Sequence, residues 1–142
     1  MKTTPRIVLV GGCFDLIHYG HIKFLEEAKS HGDHLVVALE SDENVRKMKG
    51  DARPIHSQAQ RKEMLEAVSF VDEVISLPPM RSHQEYFDLV KKIKPAIIAV
   101  TQGDPREDKK AAQANMVGAQ LVTIPKIPTP STSQLAKLLG LE

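Results

Sequence analysis

The chain has 142 residues, 42% of them hydrophobic and 26% charged, a balance that excludes a disordered or fibrous protein and fits an ordinary globular one. Nineteen Lys and Arg against eighteen Asp and Glu leave a formal charge of +1. That excludes a global field able to gather nucleic acid or an anionic membrane surface, so any phosphate recognition has to be local.

One cysteine, Cys13, excludes an intramolecular disulfide and suits a reducing compartment, with the cytoplasm as the default expectation. The start, MKTTPRIVLVGGC, has too short an apolar run for a signal peptide, and no stretch approaches the ~20 apolar residues of a membrane span. No repeat, low-complexity tract or linker breaks the chain, so one domain over residues 1–142 is expected. At this length a single core can bury roughly two-thirds of the surface that the unfolded chain exposes.

In chain order, continuous apolar runs occur at Ile7 to Val10, Leu35 to Leu39, Val74 to Ile75, Ile97 to Val100 and Leu121 to Ile124, the pattern of strands buried on both faces. Between them lie stripes at i, i+3, i+4, i+7: His21, Phe24, Leu25, Ala28; then Arg61, Met64, Leu65, Val68; then Tyr86, Leu89, Val90, Ile93. A weaker helix is expected over Arg106 to Val117, where the alanines and Met116 offer the apolar side. A last one has Ser131 as N-cap, Gln134 completing a capping box, and Leu135, Leu138 and Leu139 on one face.

The alternation predicts an α/β fold, a single Rossmann-like doubly wound domain with a five-stranded parallel sheet. Ligands of such sheets bind beyond the carboxyl ends of the strands. The loops at Gly11 to His21, Glu40 to Lys49, Thr101 to Arg106 and Pro125 to Ser133 are therefore expected to converge on one crevice.

The first loop, GGCFDLIHYGH from Gly11 to His21, carries paired glycines that let backbone approach a ligand. It then places His18 and His21 three residues apart at a helix start, where N–H groups and the helix dipole favour an anion. From the helical stripe alone, His21 reads equally as a core residue, and Asp15 as a turn residue. A zinc site is disfavoured because neither a Cys nor a third His lies nearby at ligand spacing. GxGxxG is absent after the first strand, which argues against a dinucleotide-binding oxidoreductase.

This segment resembles the GxFDxxHxGH signature of the HxGH nucleotidyltransferases. That family includes cytidylyltransferases acting on glycerol 3-phosphate and adenylyltransferases acting on heptose phosphate, flavin mononucleotide or phosphopantetheine. The resemblance implies transfer of AMP or CMP from a nucleoside triphosphate to a phosphorylated sugar, polyol or flavin, with release of pyrophosphate. It implies that His18 and His21 contact the nucleotide phosphates, with Gly11, Gly12, Cys13, Phe14, Asp15 and Gly20 around them, and that Asp15 supports backbone rather than moving a proton. It further implies Mg²⁺ carried mainly on the triphosphate without direct protein ligands, no nucleic-acid or membrane partner, and a possible homodimer.

Lys47 and Lys49, in VRKMKGDARP, read alone as a solvated charged face; the resemblance assigns them to the incoming phosphate and the triphosphate, with a catalytic role. Arg61 heads an otherwise apolar stripe, where it could snorkel, form a surface ion pair or reach an anion. RPIHSQAQRKEML is similar to the RP…QR region of heptose-phosphate and flavin adenylyltransferases, which favours Arg61 on the substrate phosphate.

Gly103 and Asp104 look like the family's Gly-Asp turn near the nucleotide, although Gly-Asp-Pro is also an ordinary turn. Ser131, Thr132 and Ser133 are similar to the ISTTxI signature that takes the β- and γ-phosphates, a role compatible with capping. Cytidylyltransferase members carry an arginine just before it, in a pattern like RTEGISTT. Here KIPTPSTS stands instead, and Lys126 supplies charge without a bidentate fork. That departure counts against both the cytosine preference and the triphosphate grip. The segments RKMKGDARP and QRKEML resemble the adenylyltransferase members and favour ATP over CTP, and a nucleotide-binding or regulatory module without turnover is the competing class.

Overall fold

The computed structural model describes residues 4–140. In chain order the elements are β1 (Ile7–Gly12), α1 (Tyr19–Ser30), β2 (His34–Leu39), α2 (Asp42–Lys49), α3 (Gln58–Glu66), β3 (Glu73–Ser76), α4 (His83–Ile93), β4 (Ile97–Thr101), α5 (Glu107–Val117), β5 (Gln120–Ile124) and α6 (Thr132–Leu138). The five strands form one sheet in the order β3-β2-β1-β4-β5, every pairing parallel. The expected α/β, Rossmann-like sheet is observed, and its order reverses on either side of β1, the position at which such sheets open a crevice.

The apolar runs are continuous because both faces of each strand are covered, and the two-residue period divides them between two cores. Val8, Val10, Leu35, Val37, Leu39, Ile97 and Ala99 face one side with Leu25 and Ala28 of α1 and Leu65 of α3. Leu9, Val36, Ala38 and Ile98 face the other with Val90 of α4 and Ala114 of α5.

Several local expectations are corrected. The segment expected to be a loop from Glu40 to Lys49 is largely helix α2, N-capped by Ser41, whose side chain accepts from Asn44 N, with Asp42 and Glu43 in its first turn and Gly50 as C-cap. Helix α3 opens on a capping box between Ser57 and Gln60 and ends at Glu66, so Val68 packs on the core from beyond the helix. Met116 of α5 is exposed, and the buried contact of that helix is Ala114. The Ser131–Gln134 capping box is present, yet Leu138 and Leu139 are 79% and 69% exposed, and α6 packs through Ala136 instead.

Candidate functional site

The crevice lies beyond the carboxyl ends of β1, β4 and β5 and has a volume of about 380 Å³. Gly11, Gly12, Cys13 and Phe14 line one wall, His18, Gly20 and His21 another, and Lys126, Ser131, Thr132 and Ser133 a third, with Lys49 and Asp104 at its margins. Three of the four predicted strand-end loops thus contribute directly. The fourth contributes through Lys49, at the end of α2.

The two histidines cap helix α1 for each other. His18 Nδ1 accepts from Gly20 N at 3.0 Å, and His21 Nδ1 accepts from His18 N at 3.3 Å. A backbone N–H can only donate, so both Nδ1 atoms are unprotonated acceptors, and each neutral ring carries its proton on Nε2. The rings stack with centroids 4.0 Å apart, and Phe14 lies against His21 at 5.4 Å. Burial, the neighbouring His18, Lys49 and Arg53 push the His21 pKa down to about 3, and burial lowers His18 as well. The pair is therefore a set of neutral Nε2–H donors.

Gly20 is needed because a Cβ there would meet both His18 Cε1 and Thr129 Cγ2 at 2.9 Å. The preceding turn holds Phe14 at φ 46° and Leu16 at φ 54°, left-handed backbone uncommon for non-glycine residues and typical of functional turns. Thr132 Oγ1 lies 3.5 Å from Leu16 O, so the two signature segments meet at this turn although 116 residues separate them.

Asp15 lies under the crevice wall rather than in it. Its carboxylate accepts from Arg53 Nε at 2.7 Å, Ile55 N at 2.7 Å and His56 N at 3.0 Å. Burial pushes its pKa up, but the His56 and Ile55 N–H groups and the Arg53 guanidinium outweigh that and hold it below the ordinary carboxylate value. Asp15 ties the signature loop to residues 53–56, in keeping with backbone support.

Arg61 is placed differently from the substrate-phosphate role expected for it. It is 0% exposed, with Nε donating to His56 O at 3.0 Å, one terminal nitrogen to Cys13 O at 2.7 Å and the other to Asp42 Oδ1 at 2.7 Å. It braces the signature loop, the first turn of α2 and the start of α3 from beneath. The two lysines are also separated: Lys49 lines the crevice and Lys47 does not. Because α2 is helical, residues two apart point in widely different directions. Gly103, at φ 81°, shapes the turn without lining the cavity, while Asp104 accepts from Arg106 N at 2.8 Å and pairs with Lys110 Nζ at 3.5 Å.

Lys110, Thr129 and Arg53 escaped sequence reasoning. Lys110 lines the crevice from a helix with no distinctive pattern, and Thr129 belongs to the segment that departs from the family signature. Arg53 stood in the quoted RP segment, but its buried partner Asp15 is 38 residues away. A second, smaller cavity of about 160 Å³ opens on the other side of the β1 end, sharing Gly11, Gly12 and Lys110 with the first. Leu9, Leu77, Val90 and Ile98 form its apolar floor, and Glu40, Tyr86 and Arg106 its polar side.

Among the described residues, no three His, Cys, Asp or Glu side chains cluster so as to hold a metal ion, and no helix is long and apolar enough to cross a membrane.

The model of the cytidylyltransferase-like family matches residues 9–131. The chain belongs to that family. Both signature segments fall on walls of the crevice. It is 40% identical over 116 residues to the bifunctional protein HldE of Campylobacter jejuni strain RM1221, covering 82% of this chain and 24% of that protein. It is 42% identical over 117 residues to HldE of Hydrogenovibrio crunogenus, covering 82% and 22%. The chain thus spans about a quarter of the length of these curated relatives.

Among solved structures, it is similar to a lipopolysaccharide core biosynthesis protein from Thermoplasma volcanium, with a TM-score of 0.68 and 25% identity over 87% of this chain and 98% of that one. It shares its fold, at a TM-score of 0.62 and 14% identity, with pantoate-beta-alanine ligase from Francisella tularensis, over 92% and 62% of the two chains.

Proposed function

We propose that the chain is a nucleotidyltransferase that transfers AMP from ATP to a phosphorylated sugar, releasing pyrophosphate. The carrying observation is the His18–His21 capping box, which fixes two neutral imidazoles with their protons on Nε2 in a crevice rimmed by Lys49, Lys110 and Lys126. The matches to HldE proteins and the RP…QR resemblance support an adenylyl group and a sugar-phosphate acceptor.

In the reaction, an oxygen of the acceptor phosphate attacks the α-phosphorus of ATP in line. The new P–O bond forms as the bond from the α-phosphorus to the bridging oxygen breaks, and that oxygen leaves with pyrophosphate. The attacking oxygen is already ionised, so no protein nucleophile or general base is required, and catalysis is positioning and charge stabilisation. His18 and His21 donate to the α- and β-phosphate oxygens. Lys49 and Lys126 offset charge on the triphosphate, Ser131, Thr132 and Ser133 receive its far end, and Gly11 and Gly12 leave room beside it.

The cation-rich lining, with Asp104 as its nearby carboxylate, suits Mg²⁺ brought on the triphosphate rather than held in a protein cage. When bound, Mg²⁺ neutralises charge on the phosphates. Pyrophosphate release with ATP or CTP and a panel of sugar, polyol and flavin phosphates tests the proposal. Release with ATP and a sugar phosphate is expected. Nucleotide binding with no release for any acceptor would instead establish a binding module.

A further inference from the structure

The second cavity holds a buried carboxylate that the transfer chemistry leaves without a task. Glu40 follows β2 and is 2% exposed, yet it lines this cavity. Tyr86 Oη, from α4, donates to it, lying 2.8 and 3.0 Å from its two oxygens. Asn44 Nδ2 donates to the Tyr86 oxygen at 3.3 Å, which directs the phenol proton toward Glu40. Burial and the Glu40 carboxylate push the Tyr86 phenol above its ordinary pKa, so Tyr86 remains a donor.

An ionised carboxylate offers about four acceptor positions. Tyr86 fills one, and Arg106 stands at 3.9 Å, beyond hydrogen-bond distance. A buried carboxylate left with open acceptor positions is costly unless an occupant brings donors.

The rest of the cavity narrows the occupant. Its floor of Leu9, Leu77, Val90 and Ile98 suits the C–H face of a compact ring, and about 160 Å³ limits its size. The cavity joins the nucleotide crevice at Gly11, Gly12 and Lys110, where backbone and an ammonium group can take a phosphate. Resting on the transferase reading above, we propose that Glu40 is the specificity-determining residue for the acceptor. Its carboxylate accepts hydrogen bonds from the hydroxyls of a sugar phosphate seated in the second cavity, phosphate toward Gly11, Gly12 and Lys110, and Tyr86 is its positioning residue.

The test is equilibrium binding to protein preloaded with α,β-methylene-ATP and Mg²⁺. Titrants are the 1-phosphates of glucose, mannose and galactose, their monodeoxy analogues, glycerol 3-phosphate and flavin mononucleotide. A sugar phosphate is expected to bind tightest. Loss of one charge-assisted hydrogen bond, on removing the recognised hydroxyl or in Glu40→Gln, should weaken it roughly 10- to 100-fold.

In Glu40→Gln the same deoxy analogue should then cost less than about threefold further, because hydroxyl and carboxylate are coupled partners. Tyr86→Phe should weaken the sugar phosphate in the same direction, with affinity for the ATP analogue unchanged in both variants. The proposal is overturned if no sugar phosphate binds, if the two losses simply add, or if Glu40→Gln lowers thermal stability without changing sugar-phosphate affinity. Pyrophosphate release by the wild-type protein is measured separately with ATP. Glu40-dependent binding without release would sustain this inference while refuting the transfer.

Discussion

Replacing His18 separates its two jobs. Its Nδ1 caps helix α1 by accepting from Gly20 N at 3.0 Å, and its Nε2–H is free to donate into the crevice. His18→Ala removes both: loss of the cap should cost about 0.5–2 kcal/mol of stability, and loss of a preorganised donor on the order of 10²- to 10³-fold in kcat. His18→Asn restores the cap, since Asn is among the best N-cap residues, but its amide is too short to reach where Nε2 lay. It should therefore melt within about 0.5 kcal/mol of wild type while losing roughly as much turnover as the alanine variant. Urea unfolding and steady-state pyrophosphate release on the same preparations provide the two readings. Near wild-type turnover in His18→Asn would refute the donor role. Equal destabilisation of both variants would refute the capping role.

His21 should contribute no loss of turnover between pH 8 and pH 5, because burial holds it neutral down to about pH 3; an NMR titration of the His21 ring with a midpoint near 6.5 would contradict this. Stability behaves differently. The unfolded chain protonates His21 near the ordinary imidazole value of 6.5 and the folded chain only near 3, so the unfolded state binds more protons in that window and stability falls as pH drops through it. Asp15, lowered in the folded state, adds a loss in the same direction below the ordinary carboxylate value of 3.8, and urea midpoints from pH 7 down to pH 2 cover both windows. Arg61→Ala should destabilise by roughly 1–3 kcal/mol, because the Cys13 and His56 carbonyls lose their donor while Asp42, 43% exposed, stays hydrated; a stable variant altered only in acceptor KM would restore Arg61 to the substrate phosphate. Lys49→Ala should reduce kcat/KM at least about tenfold, the loss of one charge-assisted contact, while Lys47→Ala stays near wild type; equal losses would mean that α2 reorients during turnover.

What could be read from the sequence was what is local along the chain. Gly20 and the His18/His21 pair lie within one helical turn, and the Ser131–Gln134 box spans three residues, so their spacing is their geometry. The five strands were legible because doubly covered strands lack polar alternation. Arg61 was misread because its acceptors sit on His56, Asp42 and Cys13, 5, 19 and 48 residues away. The Glu40–Tyr86 pair spans 46 residues and left no pattern to find. Helix α2 was missed although Ser41, its two first-turn acids and Gly50 are ordinary cap signals, because a short helix with so few apolar residues shows no clear stripe.

The central claim is that both signature imidazoles are neutral, protonated on Nε2, and donate to the nucleotide phosphates. Nitrogen-15 NMR of the histidine rings at pH 7, before and after adding ATP with Mg²⁺, tests it directly. The account predicts the Nε2–H tautomer for His18 and His21 in the free protein and large shifts of both Nε2–H signals on binding. A protonated imidazolium, an Nδ1–H tautomer, or nucleotide binding that leaves both signals unmoved would contradict it.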